Sequence, residues 1–524
     1  MVERAPASFN FATDVVERWA HVRPDDPALW CVNLRGGASD QKFNFKQMAA
    51  LLRRAAHFFV ESGIGPGDRV MVILPRIPQW WIVMLGLIKL GAIPIPGTTL
   101  LTARDIQYRL QAAEAKAVVT DQENVAKISN FDGIKIQASG TVDLSWLDFD
   151  AGLREVSGDY EAEPTPSDAP GIIYFTSGTT GHPKMVLHSQ ASYGLAHRLT
   201  AHWWLDLKPE DIHWNLADTG WAKAAWSSFF GPWHMGACIF SADLRGKFDP
   251  REALRILARY PITTFCAPPT ALRLFVREDL SAFKFPRLRH CVSAGEPLNP
   301  EVMEIWKRVT GLDIYEGYGQ TETIVVIGTF RQRGDHVRPG VLGRPMPGYD
   351  VALLDAEGKE VPVGEEGEIA IRVRPERPLG LFLEYWKNPE ENAARFKGDW
   401  YLTGDCATRD AEGFYSFVGR GDDLIKSAGY RIGPFEVESA LVEHDSVVEA
   451  AVVGVPDPLR GQLVKAFVVL KAGTTATDAL KLELQEHCKQ VTAPYKYPRE
   501  IEFVTELPKT ISGKIRRLEL RQRV

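Results

Sequence analysis

Between residues 249 and 322 the chain repeats one pattern three times: a helical stretch, a short apolar strand, then a loop of small and polar residues. Asp249 is suited to cap a helix that carries Pro250 at its first position and runs to Tyr260. The strand at 262–266 stops at Ala267-Pro268-Pro269-Thr270, and the strand at 288–293 stops at Ala294-Gly295-Glu296-Pro297. A helix over 300–309 leads to the strand at 313–316, which stops at Gly317-Tyr318-Gly319-Gln320-Thr321-Glu322. Strands joined through helices run parallel, and their sheet needs helices on its faces. In doubly wound sheets of this kind ligands bind at the carboxyl ends of the strands, where all three loops fall. The last loop offers an aromatic to stack on a base, Thr321 as a phosphate donor, and Glu322 as a hard oxygen ligand suited to Mg²⁺.

A second loop belongs with these. The apolar run 171–175 predicts a buried strand, and it gives way to Thr176-Ser177-Gly178-Thr179-Thr180-Gly181-His182-Pro183-Lys184. Glycines let backbone N–H groups approach an anion, hydroxyls add donors, and the lysine adds a point charge. His182 and Pro183 separate the last glycine from Lys184, so this is not the Gly-Lys-Ser/Thr loop of nucleotide hydrolases. A polar surface turn is the plain alternative to a triphosphate loop.

At 524 residues the chain exceeds a single hydrophobic core. The α/β alternation begins early: helix 45–62, strand 70–74, buried helix 79–90, an edge strand with prolines at 91–96, helix 102–113 and strand 117–120. From about 331 to 419 short alternating runs between Gly, Pro and Asp turns predict a small β-barrel-like unit containing Trp400-Tyr401-Leu402-Thr403-Gly404-Asp405. The polar break Gly419-Arg420-Gly421-Asp422-Asp423 predicts a boundary, giving an N-terminal domain over 1–420 and a mobile α+β domain over 421–524 that ends in a second Gly-Lys loop, Gly513-Lys514. A net charge of −6 with no basic face argues against nucleic acid as a partner. Six scattered cysteines with no Cys-x-x-Cys pair predict buried free thiols, and no metal-ligand spacing joins the Cys and His residues. Residues 1–10 have neither a signal-peptide core nor a transit-peptide character, and the apolar stretch 80–90 is too short to span a bilayer. The expectation is a cytoplasmic protein, or a processed chain of the mitochondrial matrix, with a homodimer left open.

Taken in order, the stretches 176–184, 318–322, 401–405, 419–423 and 508–514 resemble the motifs of the adenylate-forming superfamily of acyl-CoA synthetases, adenylation domains and luciferases. Asp218-Thr219-Gly220-Trp221, Gly429-Tyr430-Arg431-Ile432-Gly433-Pro434 and the run 492–499 resemble those of medium-chain, AMP-forming acyl-CoA synthetases. The resemblance implies a two-step reaction, in which a carboxylate attacks the α-phosphate of ATP and CoA then displaces AMP. It also implies roles. Thr176, Ser177, Gly178, Thr179, Thr180, Gly181 and Lys184 would hold the β,γ-phosphates, and Thr321 would contact the α-phosphate. Glu322, with Thr176, would hold Mg²⁺. Asp405 and Arg420 would hold the ribose. Gly295, Glu296, Pro297, Glu316, Gly317 and Tyr318, followed by Gly319 and Gln320, would surround the nucleotide. Lys514 would bridge carboxylate and α-phosphate, and rotation about Asp422 would exchange it for a CoA face built from Ser427, Ala428, Gly429, Tyr430, Arg431, Arg460 and Lys496. Trp221, Ala222, Ala225, Gly236, Gly319 and Thr323 would wall the acyl pocket. Gly319 stands where acetate-specific relatives carry Trp, which implies a medium-chain or aromatic carboxylic acid. A carrier-protein thiol as acceptor, a luciferase-like oxygenase and a non-catalytic ATP binder are the competing possibilities.

Overall fold

The computed structural model describes residues 4–34, 39–176, 183–246, 248–428, 430–510 and 514–523. Its largest element is a nine-stranded sheet in which Ile314–Tyr318, His290–Ala294, Thr264–Cys266, Ile212–Asn215, Cys238–Ala242 and Pro27–Asn33 lie side by side in parallel. Antiparallel strands close both edges: Ile327–Gly328 and Arg344–Pro345 on one, Ser39–Asn44 on the other. From Ile212–Asn215 the chain steps first to one side, to Cys238–Ala242, and then crosses to the other, through Thr264–Cys266 to Ile314–Tyr318. That reversal, between Asn215 and Cys266, is the switch point of a doubly wound sheet.

The helices predicted to cover this sheet form where the caps foretold. Asp249 accepts hydrogen bonds from the N–H groups of Arg251 and Glu252 and opens Pro250–Arg259, and Pro300–Thr310 ends at Gly311 in a left-handed cap. A second, all-parallel sheet joins Ile93–Pro96, Arg69–Ile73, Ala117–Thr120, Ile134–Gln137 and Leu147–Asp148, with the proline-bearing strand at its edge. Against it pack Phe45–Glu61 and Pro78–Leu90. Gly86 lets these two helices approach each other: a Cβ there would sit 2.5 Å from the Cβ of Ala55. Pro78–Leu90 is a buried core helix, and its one charge, Lys89, is neutralised by Glu17 at 2.9 Å. Among the described residues no helix is long and apolar enough to cross a membrane.

Pro170–Thr176 and Lys184–Ser189 form an antiparallel hairpin whose connecting residues lie outside those described. The predicted β unit is a five-stranded antiparallel sheet of Val351–Leu354, Glu366–Arg372, Trp400–Arg409, Phe396–Lys397 and Tyr415–Arg420. Beyond Arg420 the chain builds cores of its own, in which Ile425, Val437, Leu441, Val452 and Phe467 are wholly buried. The first four lie between the sheet of Tyr430–Ile432, Ile425–Ser427, Gly461–Leu470, Val447–Asp457 and Glu500–Phe503 and the helices Pro434–Val442 and Asp478–Val491, whereas Phe467 packs with Leu507 and with Leu520 of the short helix Arg517–Arg521. All six cysteines are free and buried.

Candidate active site

A cleft of about 1220 Å³ opens at the switch point. The strand-end loops supply one wall: Asp218, Trp221, Ala222 and Lys223 after one strand, Ala294–Pro297 after a second, and Gly319–Glu322 after a third. The β sheet contributes Asp405 and Arg420, the hairpin Thr176 and Lys184, and the C-terminal unit closes the cleft with Lys514. Thus residues more than three hundred positions apart face one volume.

Asp405 is held through one oxygen. Its Oδ2 accepts from the Tyr318 hydroxyl and from Gln320 Nε2, each at 2.6 Å. Burial raises its pKa, an effect opposed by the Tyr318 hydrogen bond and by the positive charge of Arg420. Arg420 is its cross-strand partner in the sheet, but the guanidinium turns to Asp422 at 3.0 Å. Gln320 is fixed at both ends, since Nε2 also donates to Thr403 O at 2.9 Å and Oε1 accepts from Tyr401 at 3.1 Å. Partial withdrawal from water pushes the pKa of Glu322 up, and its Oε1 accepts from the Tyr385 hydroxyl at 2.8 Å. Behind the same loop, Thr321 O lies 2.7 Å from His188 Nε2 and accepts from the Tyr193 hydroxyl at 3.3 Å. Burial lowers His188 to about 3, so the imidazole is neutral and Nε2 is the donor. Glu316 is raised to about 8 by burial, its Oε1 accepting from Leu298 N at 3.1 Å. Lys184 is ion-paired to Glu391, which also holds Arg395 at 3.0 Å.

Most of the residues the sequence singled out for nucleotide and Mg²⁺ therefore line one cleft: Thr176, Lys184, Gly295, Glu296, Pro297, Glu316, Gly317, Tyr318, Gly319, Gln320, Thr321, Glu322, Asp405, Arg420 and Lys514. Ser177, Gly178, Thr179, Thr180, Gly181 and Gly429 lie outside the described residues. The acyl wall needs correction. Gly236 sits at a helix end with φ +70°, where a Cβ would press on Trp19, and it does not border the cleft. Thr323 is turned inward, its hydroxyl spent on Gln320 N and Ile324 O, and Ala225 is buried behind the wall rather than on it. Gly319 does not leave an open floor: a Cβ there would meet Ile324 O at 2.3 Å and the Trp226 ring at 2.9 Å. Trp226 already fills that side, its Nε1 anchored on the Tyr193 hydroxyl at 2.9 Å.

The CoA candidates form a group apart. Ser427 pairs with Tyr430 across a hairpin, Ala428 N donates to Arg460 O at 2.9 Å, Arg431 pairs with Glu366 at 3.0 Å, and Lys496 pairs with Glu436. None of the described members lines the cleft. Lys223, Tyr385, Tyr401 and His188 were not picked out from sequence. Lys223 stands two residues after Trp221, within a stretch already singled out. Tyr401 opens the stretch 401–405 but was given no role there, whereas Tyr385 and His188 lie outside the stretches singled out.

This architecture, a doubly wound sheet with its cleft capped by a small C-terminal unit, is shared with known proteins. The AMP-binding enzyme model matches residues 16–386, and the AMP-binding enzyme C-terminal domain model matches residues 436–514. The chain belongs to the AMP-binding enzyme family. Among curated relatives it is 47% identical to acyl-coenzyme A synthetase ACSM3, mitochondrial, of Mus musculus, over 99% of this chain and 91% of that protein. It is 48% identical to ACSM4, mitochondrial, of Homo sapiens, over 98% and 90%. Among solved structures it resembles the anthranilate CoA ligase AuaEII in complex with anthranoyl-AMP, with a TM-score of 0.89, 32% identity, and 99% and 98% of the two chains covered. A benzoate CoA ligase from Burkholderia xenovorans LB400 follows, with a TM-score of 0.86, 30% identity, and 98% and 100% covered.

Proposed function

We propose that the chain is a medium-chain, AMP-forming acyl-CoA synthetase. It activates a carboxylic acid with ATP as acyl-AMP, releasing pyrophosphate, and passes the acyl group to CoA, releasing AMP. The observation that carries this is convergence: Asp405 with Tyr318 and Gln320, Glu322, Thr321 and Lys514 border one cleft at the sheet's switch point. A carboxylate approaching a triphosphate needs charge neutralised and groups aligned rather than a covalent nucleophile, and this lining supplies both.

In this reading Asp405 accepts the ribose hydroxyls, for which its second oxygen and the nearby Arg420 are suited. Thr176 and Lys184 hold the terminal phosphates, Lys184 being drawn off Glu391 by the greater charge. Thr321 addresses the α-phosphate, its backbone held from behind by His188 and Tyr193. Lys514 neutralises the charge that builds between carboxylate and α-phosphate. Mg²⁺ fits the donor set. Glu322 is a carboxylate at the phosphate end of the cleft, and no cluster of three or more His, Cys, Asp or Glu is present among the described residues. One carboxylate plus substrate phosphates is how Mg²⁺ is usually held, and Thr176 would stand beside it. When bound, the ion withdraws charge from the phosphates.

Lys514 faces the cleft while Arg431, Arg460 and Lys496 stand outside it, which is the orientation adenylation requires. Rotation of residues 421–524 against 1–420 about Asp422 would bring Ser427, Ala428, Gly429 and Tyr430 over the site for CoA. The acid is medium-chain or aromatic. Trp221, Ala222 and Trp226 give one side of the cleft an apolar lining, and an acyl slot there separates chain lengths by only about 1–3 kcal/mol per methylene. The names of this chain's relatives, which call them mitochondrial, favour the mitochondrion over the cytoplasm as the compartment. The test is AMP and acyl-CoA formation with ATP, Mg²⁺ and CoA across straight-chain acids from acetate to dodecanoate, plus benzoate. Activity peaking in mid-series supports the proposal. Acyl-AMP formed without thioester would point to a carrier-protein thiol, and no adenylation of any acid would refute it.

A further inference from the structure

Most cations bordering the cleft are committed to carboxylates. Lys184 is held by Glu391, Arg273 by Glu296 at 3.0 Å, and Arg420 by Asp422 at 3.0 Å. Lys223 is not. Its Nζ donates to the carbonyl of Ala294 at 2.7 Å, and among the described residues no carboxylate lies within ion-pair distance of it. The side chain is largely buried, and burial lowers its pKa. Glu296, the acidic neighbour whose field it feels, is already engaged by Arg273, and the other charged neighbour is Lys514, a second cation. An ammonium withdrawn from water beside another cation is unfavourable unless an anion is supplied. One of its three protons is used on Ala294, which leaves two for a ligand.

Its position says which anion. Lys223 lies in the short helix Ala222–Ala225, which leaves the loop following Ile212–Asn215 at the switch point. Trp221, Ala222 and Trp226, which give that side of the cleft its apolar lining, flank it in sequence, and Ala294 ends the strand that continues into Gly295 and Glu296. The ammonium therefore stands where the apolar slot meets the nucleotide wall. The carboxylate of an acid whose chain fills the slot would lie there.

We propose that Lys223 binds the carboxylate of the substrate acid and holds it for attack on the α-phosphate. The inference rests on the acyl-CoA synthetase reading above and adds to it a permanent cation. Lys514 arrives and leaves with the C-terminal unit, whereas Lys223 is fixed to the central sheet and receives the acid whether or not Lys514 is in place.

The test separates charge recognition from wall-building. For wild type, Lys223→Met and Lys223→Arg, adenylation is measured as pyrophosphate release with hydroxylamine trapping the acyl-AMP. The inhibition constant of the uncharged primary alcohol of the same chain length is measured alongside. Lys223→Met is expected to raise KM for the acid at least tenfold while leaving KM for ATP and the alcohol's inhibition constant within about threefold of wild type. Lys223→Arg is expected to keep most of the preference for acid over alcohol. Equal weakening of acid and alcohol in Lys223→Met would make the residue a piece of wall and overturn the proposal, as would an unchanged acid KM. Should Lys223→Met not fold, a Lys223→Arg enzyme that has lost the preference for acid overturns it equally. A wild type that adenylates no acid would instead refute the function itself.

Discussion

Adding one methyl group at Gly319 tests the geometry of the adenylation loop. The new Cβ in Gly319→Ala would stand 2.3 Å from Ile324 O and 2.9 Å from the Trp226 ring. The first contact is with backbone, so no rotamer change relieves it. The loop is a tight reversal, with Thr323 N bonded to Gln320 O at 3.2 Å and Val326 N to Tyr318 O at 2.9 Å. It must shift as a body, carrying Gln320 off Asp405 and Thr321 off His188. Overpacking of one methyl costs about 1–3 kcal/mol. Expressed wholly in the transition state, that is a loss of roughly five- to 150-fold in kcat/KM. The assay is pyrophosphate release with butyrate, octanoate and decanoate, and activity should fall with all three, because the contact that no rotamer relieves is with the loop's own backbone. Gly319→Trp should lose all acids too, instead of shortening the accepted chain as sequence alone suggests. A wild-type Gly319→Ala, or a Gly319→Trp active on short acids only, would refute the reasoning.

Glu316 makes stability depend on pH. With its carboxyl raised from 4.5 to about 8, the folded protein keeps a proton that the unfolded chain has lost, so stability falls as pH rises through that interval by up to about 1.4 kcal/mol per unit. Glu316→Gln should flatten the urea midpoint between pH 5.5 and 8; an undiminished slope would place the titrating group elsewhere. The six buried cysteines should be inert to a thiol reagent in the native enzyme and all react after unfolding. Rapid native labelling of even one would contradict the packing.

The parallel sheet was legible because each strand from 262 onward ends in its own punctuation, and because Asp249 and Pro250 announce a helix start. The strand Pro27–Asn33 was not recognised, since it enters the large sheet beside Cys238–Ala242, a pairing across two hundred residues that no local pattern encodes. At the site, Asp405, Glu322 and Lys514 could be found because each sits in a motif of distinctive residues. Their supports could not. Tyr385 and His188 act through a single hydroxyl or ring nitrogen brought in by folding, and nothing in their flanks distinguishes them from core aromatics, while Tyr401 stood in the motif 401–405 without its bond to Gln320 being legible. Trp221 and Ala222 of the expected acyl wall border the cleft, and the positions that do not fit the expectation differ for a related reason. Gly236 and Thr323 satisfy local backbone demands, and Gly319 is small because Ile324 and Trp226 leave no room.

The central claim is that Lys514 serves adenylation from a unit that later moves away. It is tested most directly by assaying the two half-reactions of Lys514→Ala separately. Pyrophosphate release from ATP and octanoate should fall more than a hundredfold, a barrier raised by about 3 kcal/mol. Formation of octanoyl-CoA from supplied octanoyl-AMP and CoA should stay within a few-fold of wild type. Equal loss of both halves would contradict the account.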